Sequence, residues 1–186
     1  MEKPIFKTTK KGKKVRILRP WEVKELVNAI PKPEYKDKFE AMLYTGARFS
    51  EIKRIYTHKN WFQGTSIQLP NYKKSSFTER FIRLNPQGQR ATTYFYRCNK
   101  NLPSYSTWDE NLKRWAEKAR IEPEGICVKT TRKTWESWLV TCYPKNLEQI
   151  FLSQGHTQMV ALKFYLMLPF SERDKQDMVF YTDGWI

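Results

Sequence analysis

Apolar residues recur at helical spacing along most of this chain, and that periodicity constrains its fold more than any other feature. Four apolar residues between positions 23 and 30 fall at i, i+3, i+4 and i+7 of a segment that begins at Pro20 and ends before Pro31. Similar stripes follow near 35–44, after Ala47, after Trp108, and around 135–142, 147–151 and 161–168. Such a series of amphipathic segments predicts a mainly helical domain.

Two short runs of residues have the pattern of β-strands rather than of helices. Residues 66–69 and 79–84 are separated by a polar turn near 72–77, which predicts a small antiparallel β-sheet insertion. The sequence NPQG at 85–88 is typical of a turn, and the segment 89–99 fits either a strand or a helix. The predicted fold class is therefore mainly α with a small antiparallel β-sheet insertion (α+β).

The two ends of the chain lack this regular pattern. The first 14 residues carry six lysines around one glycine, which predicts a flexible basic arm or linker, either a solvated tail or an arm that contacts phosphates. Residues 171–186 are charged at first and apolar at the end, and we interpret them as a C-terminal tail. Residues 15–170 then form the folded domain.

The chain is strongly basic. Its 186 residues include 34 Lys and Arg against 19 Asp and Glu, a net charge of +15, which favours nucleic acid as a partner ahead of an anionic membrane surface. We expect a cytoplasmic protein, because no apolar run approaches the roughly 20 residues that span a bilayer and no secretory signal is present. Three scattered cysteines and two distant histidines indicate neither a disulfide framework nor a metal site.

Two segments in the first half of the chain carry residues suited to phosphate chemistry. The sequence TGARFSE at 45–51 puts Arg48 in the first turn of a helix, where an arginine can bind a phosphate with two hydrogen bonds. Glu51 could orient that guanidinium or cap the helix. Lys73 and Lys74 lie in the turn between the two strand-like runs, where a lysine could enter a groove and donate a proton.

Two further segments lie in the second half. Lys129 and Arg132 are three residues apart on one face of a helix start, next to Lys133. His156 follows a glycine, and Tyr165 comes nine residues later, so the two could meet only if the histidine precedes the helix that presents the tyrosine. Each of the four segments alone also fits an ordinary surface or core position.

In their order, the four segments resemble the tyrosine recombinase (phage integrase) family. Arg48 within TGARFSE matches the first arginine box of that family, and Arg132 matches its second arginine. The Gly-His pair at 155–156 matches the third box, and Tyr165 has the spacing of the nucleophile. The resemblance covers about residues 15–170 and implies the catalytic-domain fold of that family.

The chain departs from the family pattern at identifiable positions. Lys129 stands where the family usually has a histidine, which is similar to the integrases of archaeal spindle-shaped viruses. Counting back from the second strand-like run favours Lys74 as the hairpin lysine of the family, with Lys73 as the alternative. The N-terminal core-binding domain of the family has no counterpart, so the chain is either a catalytic fragment or a short natural form.

The resemblance implies a site-specific recombinase that cleaves and rejoins double-stranded DNA through a 3′-phosphotyrosine, without metal or cofactor, to integrate or excise a mobile element. It also implies a homo-oligomer on DNA, a tetramer in the synaptic complex, with the tail docked on a neighbouring protomer or folded back in cis. The alternatives are a type IB topoisomerase-like enzyme and a non-catalytic DNA-binding regulator. The implied catalytic residues are Arg48, Lys74, Lys129, Arg132, His156 and Tyr165, supported by Glu51, and the implied DNA-contacting residues are Lys13, Lys14, Lys73 and Lys133.

Overall fold

The computed structural model describes residues 3–9, 11–70, 79–98, 101–155 and 164–186, and for Phe164 and Tyr165 it describes the backbone alone. The strands are β1 (Ile5–Thr8), β2 (Lys14–Ile17), β3 (Ser66–Leu69) and β4 (Arg80–Arg83). The helices are α1 (Pro20–Ala29), α2 (Pro33–Thr45), α3 (Phe49–Thr57), α4 (Pro86–Arg97), α5 (Tyr105–Lys118), α6 (Thr130–Cys142), α7 (Leu147–Gln154) and α8 (Glu172–Thr182), with 3₁₀ turns at Lys59–Trp61 and Phe164–Met167. This architecture confirms the predicted mainly helical fold with small antiparallel sheets.

Helix α6 lies at the centre of the molecule. It contacts α2, α7, α8 and β2, and the Trp135 and Trp138 side chains that face its neighbours have no exposed surface. Two hydrogen bonds tie α6 to the residue that follows β2: the Thr134 hydroxyl accepts from the Leu18 N–H at 2.9 Å, and the Trp138 indole N–H donates to the Leu18 carbonyl at 3.0 Å. Because α6 is packed on nearly every side, the side chains of its first turn start from a rigid backbone.

The predicted β insertion is a two-stranded sheet. Strands β3 and β4 pair antiparallel, with Ile67 opposite Ile82 and Leu69 opposite Arg80. Ile67 and Ile82 are fully buried, and β4 packs on α7. Since side chains two residues apart share a face of a strand, Arg80 lies on the buried face with Ile82.

The segment 85–88 is not a turn, as its sequence suggested, but the start of a helix. The Asn85 side chain caps α4 by accepting a hydrogen bond from the Gly88 N–H at 2.9 Å, and Pro86 occupies the first helical position, where its missing N–H is harmless. Residues 89–97 of the ambiguous segment therefore continue this helix, which packs on α2.

The described part of the predicted flexible arm forms a hairpin. Strand β1 pairs antiparallel with β2, placing Ile5 opposite Ile17. Ile5, Val15 and Ile17 are buried, because the alternation of the strands turns these three apolar side chains towards the protein. The few apolar residues among the lysines are thus sufficient to attach the segment, although the boundary of the domain at residue 15 stays a prediction.

The C-terminal tail is also folded onto the domain. Helix α8 packs on α6 and α1, and its Asp174 forms a buried ion pair with Arg19. Beyond the helix, Trp185 is fully buried and its indole N–H donates to the Arg83 carbonyl at 3.2 Å. The tail therefore packs largely in cis, while Val179 and Phe180 remain exposed on α8. Docking of the tail on a neighbouring protomer stays a prediction for these exposed side chains.

Replacing Trp185 with alanine should lower the free energy of unfolding by about 3–4 kcal/mol, because it removes a large buried side chain and leaves a cavity. Phe180→Ala is the matched control: 69% of this side chain is exposed, so the change should cost less than about 0.5 kcal/mol. Urea unfolding of both variants measures the difference. Equal stabilities would mean that the end of the tail does not pack in cis.

No described helix is long and apolar enough to cross a membrane.

Candidate active site

A cavity of about 710 Å³ opens where the N-terminal hairpin, the α2–α3 connection and the starts of α5 and α6 meet. That volume is in the range of sites that hold small molecules or short pieces of a polymer. Cationic and aromatic side chains from all four elements line it, among them Lys7, Arg48, Phe49, Tyr105, Lys129, Arg132 and Lys133. Three of the six side chains that the sequence nominated as catalytic thus face one space.

The sharp connection between α2 and α3 positions Arg48. Gly46 ends α2 in the left-handed region, with φ of 56°, and a Cβ at this position would collide with the Gln154 side chain. The chain then turns at once into α3, and Arg48 becomes its N-cap. The Arg48 guanidinium is half exposed and donates to Glu51 Oε1 at 2.5 Å and to the Gly155 carbonyl at 3.0 Å.

Glu51 links Arg48 to a second arginine. Its Oε2 accepts a hydrogen bond from the Arg48 backbone N–H at 2.6 Å, and its Oε1 also accepts from Arg80 Nη1 at 2.7 Å. Arg80 is largely buried and donates from Nε to the Ser153 carbonyl at 2.8 Å. Sequence analysis missed Arg80 as part of the site, although its strand alternation with the buried Ile82 was a usable signal.

Arg48 and Arg80 stabilise the ionised form of the Glu51 carboxyl group. Burial alone would raise the pKa of its carboxyl, but Arg80, the Arg48 backbone N–H and the Arg48 guanidinium together lower that pKa below its usual value. Glu51 is therefore an anion at neutral pH, as its predicted supporting role requires.

We expect Glu51→Gln to lower the free energy of unfolding at pH 7 by about 2–3 kcal/mol, because it leaves the buried Arg80 without its anionic partner. A carboxyl with a lowered folded pKa contributes stability above its unfolded pKa of about 4.3 and loses it as pH falls through the folded pKa. The difference in the free energy of unfolding between wild type and variant should thus be smaller below about pH 4 than at pH 7, as measured by urea titrations under both conditions. Glu124→Gln is the control, since its ion pair with Lys14 is exposed.

Arg132 lies in the first turn of α6 and is almost fully buried. It donates from Nη1 to the Gly46 carbonyl at 2.6 Å and from Nη2 to the Gln154 carbonyl, so it ties the α2–α3 connection to the end of α7. Burial, and after it the charge of Arg80, lowers the pKa of Arg132 to about 10. The guanidinium still carries its charge at neutral pH, and two fixed hydrogen bonds orient it at the cavity.

The remaining nominated lysines of the described part have different surroundings. Lys129 is the N-cap of α6 and is exposed at the cavity, and Lys133 lines the same cavity while its Nζ pairs with Glu136 Oε2 at 2.7 Å. Lys13 and Lys14 lie on the N-terminal hairpin, exposed to solvent and outside the described lining of the cavity. The structure thus brings Lys129 and Lys133 to the arginines and leaves Lys13 and Lys14 apart.

Four nominated residues cannot be located at the cavity. Lys73, Lys74 and His156 lie outside the described residues. Tyr165 belongs to the 3₁₀ turn Phe164–Met167, but its side chain is outside the described part. Their roles stay predictions. In the part of the chain that is described, no group of three or more His, Cys, Asp or Glu side chains could hold a metal ion.

Two aromatic side chains that the sequence did not nominate also line the cavity. Phe49 and Tyr105 meet edge to face, with ring centroids 5.5 Å apart, and half of Tyr105 is exposed. They come from the first turns of α3 and α5, which are distant in sequence, so no local pattern could have paired them. Lys7, from β1, is a third residue that lines the cavity although the sequence did not nominate it.

Comparison with solved structures identifies the fold. The chain is similar to XerA recombinase, with a TM-score of 0.65 and 15% identity over 90% of this chain and 63% of that one. It is also similar to the catalytic domain of bacteriophage HP1 integrase, with a TM-score of 0.61 and 18% identity over 81% of this chain and 86% of that one. A third similar structure is the Tn1549 transposon integrase in complex with circular intermediate DNA, with a TM-score of 0.64 and 14% identity over 89% of this chain and 66% of that one. No protein-family model matches the sequence, and no curated protein matches it either.

The chain spans about two thirds of the XerA and Tn1549 integrase structures and most of the HP1 integrase catalytic domain. At 14–18% identity these similarities describe the backbone and leave the chemistry of individual residues open. The fold of this chain is that of the catalytic domains of tyrosine recombinases.

Proposed function

We propose that this protein is a site-specific DNA recombinase that cleaves and rejoins DNA through a 3′-phosphotyrosine. One observation carries the proposal: Arg48 and Arg132, 84 positions apart in the sequence, line one cavity of a domain with the tyrosine recombinase fold. Both are the residues that the sequence motifs nominate for binding the scissile phosphate.

The electrostatics of the cavity support a phosphate as its ligand. The N-termini of α3 and α6 both lie at the cavity, through Phe49 and Lys129, and helix N-termini carry partial positive charge. Arg48 and Arg132 add two guanidinium groups, and the paired N–H donors of a guanidinium can bind two oxygens of one phosphate. Glu51 and the backbone carbonyls of 46, 154 and 155 orient these groups in advance. Such preorganised positive charge is what phosphoryl transfer requires of a protein.

In the proposed reaction, the Tyr165 hydroxyl gives up its proton to solvent and its oxygen attacks the scissile phosphorus, the bond from phosphorus to the 5′-oxygen breaks, and a 3′-phosphotyrosine forms. Arg48, Arg132, Lys129 and His156 stabilise the charge on the non-bridging oxygens. Lys74 donates a proton to the departing 5′-oxygen. The 5′-hydroxyl of another strand then loses its proton and attacks the phosphorus of the phosphotyrosine. The Tyr165 oxygen leaves and takes up a proton, and the DNA strand is rejoined.

The partners follow from this proposal. Double-stranded DNA is the substrate, and the net charge of +15 favours it. We further propose a homo-oligomer on DNA, tetrameric in the synaptic complex, that acts in the cytoplasm of a host cell on a mobile or viral genome. The lysine at position 129 is the feature that favours an origin among archaeal spindle-shaped viruses.

The test is a library of duplexes with randomised arms and a nick near the centre, so that cleavage releases a short fragment and traps the enzyme on DNA. Covalent adducts are separated under denaturing conditions and sequenced, which also identifies the recognition site. Enrichment of one sequence, followed by strand exchange between two copies of it, supports a recombinase. Adducts without sequence preference, together with relaxation of supercoiled DNA, would replace the proposal with a topoisomerase, and the absence of any adduct would leave a DNA-binding regulator.

A further inference from the structure

Lys7 brings a cation to the cavity from an element that carries none of the recombinase motifs. Strand β1 pairs with β2 so that Lys7 lies opposite Val15. Because side chains alternate across a strand, Lys7 shares the face of the buried Ile5 and points towards the protein. It lines the same cavity as Arg48 and Arg132.

The hairpin that carries Lys7 is attached firmly next to Arg132. The Arg16 N–H donates to the Gly125 carbonyl at 2.8 Å, just before α6. The Leu18 N–H donates to the hydroxyl of Thr134, which lies two residues beyond Arg132. With the bond from Trp138 to the Leu18 carbonyl, two hydrogen bonds tie the end of β2 to α6 and a third ties it to the loop before α6. The position of Lys7 relative to the arginines is therefore set by the folded domain.

Positive charge predominates among the described side chains that share the cavity with Lys7. Lys129, Arg132 and Lys133 line the same cavity from the start of α6, and Arg48 lines it from the α2–α3 connection. Glu136, which pairs with Lys133, adds a negative charge that acts on Lys7. Burial, and after it the charge of Lys133, lowers the pKa of Lys7 to about 8, although Glu136 acts in the opposite direction. Near neutral pH, the Lys7 ammonium thus exists at a cost that a negative ligand in the cavity would offset.

We propose that Lys7 binds a backbone phosphate of the DNA that lies in this cavity, beside Arg48 and Arg132. The inference rests on the proposed function for the identity of the ligand, and on the described geometry for the residue. It makes the N-terminal hairpin a part of the substrate-binding site rather than a spacer.

A change in DNA affinity with pH follows from this inference. A bound phosphate favours the charged ammonium and raises the pKa of Lys7, so the complex takes up a proton when it forms above about pH 8. Affinity should fall as pH rises through that value, by about tenfold for each unit by which DNA raises the pKa. Lys7→Arg keeps its charge over the whole range and should remove this fall, whereas Lys7→Met should be weak at every pH.

The experiment measures the affinity of a 20-base-pair duplex by fluorescence anisotropy at pH 7 and pH 9.5, at constant ionic strength, with Tyr165→Phe in every protein to prevent cleavage. Lys11→Met is the matched control, because Lys11 is an exposed lysine in the turn of the same hairpin. We expect Lys7→Met to weaken binding at pH 7 several times more than Lys11→Met does. Equal losses in the two variants, or a fall with pH that persists in Lys7→Arg, would overturn the inference.

A second measurement separates this inference from the proposed function. The pKa of Lys7, followed by NMR of its side chain and assigned with Lys7→Arg, should rise when the duplex is added, and an unchanged pKa would contradict phosphate binding. If the pKa rises while the wild-type protein never forms a covalent adduct, the DNA-binding role of Lys7 stands and the recombinase proposal fails. If adducts form and Lys7→Met behaves like Lys11→Met, only the inference fails.

Discussion

Tyr165→Phe is expected to abolish the covalent protein–DNA adduct and to leave DNA binding within about twofold of wild type. The substitution removes one oxygen, which is the atom proposed to attack phosphorus, and no other group can replace it in the intermediate. The yield of adduct on the trapped nicked substrate should fall by at least about 10⁴-fold. Denaturing gels report the adduct, and fluorescence anisotropy reports the binding.

The matched control is Tyr105→Phe, which removes the same hydroxyl from a tyrosine that lines the cavity. This variant should still form the adduct. The opposite pattern, an adduct with Tyr165→Phe and none with Tyr105→Phe, would assign the nucleophile to Tyr105. Peptide mapping of the wild-type adduct identifies the modified tyrosine directly.

Arg132→Lys should reduce the rate of DNA cleavage by about 10²–10³-fold although it conserves the positive charge. The guanidinium donates to two backbone carbonyls and can still offer further N–H groups to a phosphate, whereas an ammonium has three donors and no planar arrangement. Losing one preorganised donor to the transition state accounts for an effect of that size. Single-turnover cleavage of the trapped substrate measures it.

Arg80→Lys controls for the structural part of this effect. Arg80 is also a largely buried guanidinium with two fixed hydrogen bonds, but it is not among the described residues that line the cavity. Both variants should lose about 1–3 kcal/mol of stability, while cleavage should fall far less in Arg80→Lys. If Arg132→Lys cleaves at a rate close to that of wild type, Arg132 serves only to tie the backbone together.

Most of the helices and the β3–β4 sheet could be predicted from the sequence because their signals are local, whereas α8 lies in a segment that we interpreted as a tail. Apolar residues at a period of 3.6 or 2 define one face of an element whatever lies opposite. The end of α2 was readable for the same reason, since Gly46 permits a backbone conformation that other residues rarely adopt. The start of α4 shows the limit of local signals: Asn85 and Pro86 suit a turn and a helix cap equally well, and burial against α2 decides between them.

The sequence by itself determined the mainly helical fold, the basic character and the ordered set of motifs that nominates Arg48, Arg132 and Tyr165. Only the tertiary structure decided which cations share a cavity, because α6 and the α2–α3 connection are brought together by packing between residues far apart in the chain. It also showed that Arg80 donates a hydrogen bond to Glu51, that Lys7 lines the same cavity as Arg132, and that the described parts of both ends of the chain pack on the domain. The physical reason is that composition measures the charge of a segment, whereas a few apolar side chains such as Ile5 and Trp185 determine where that segment is held.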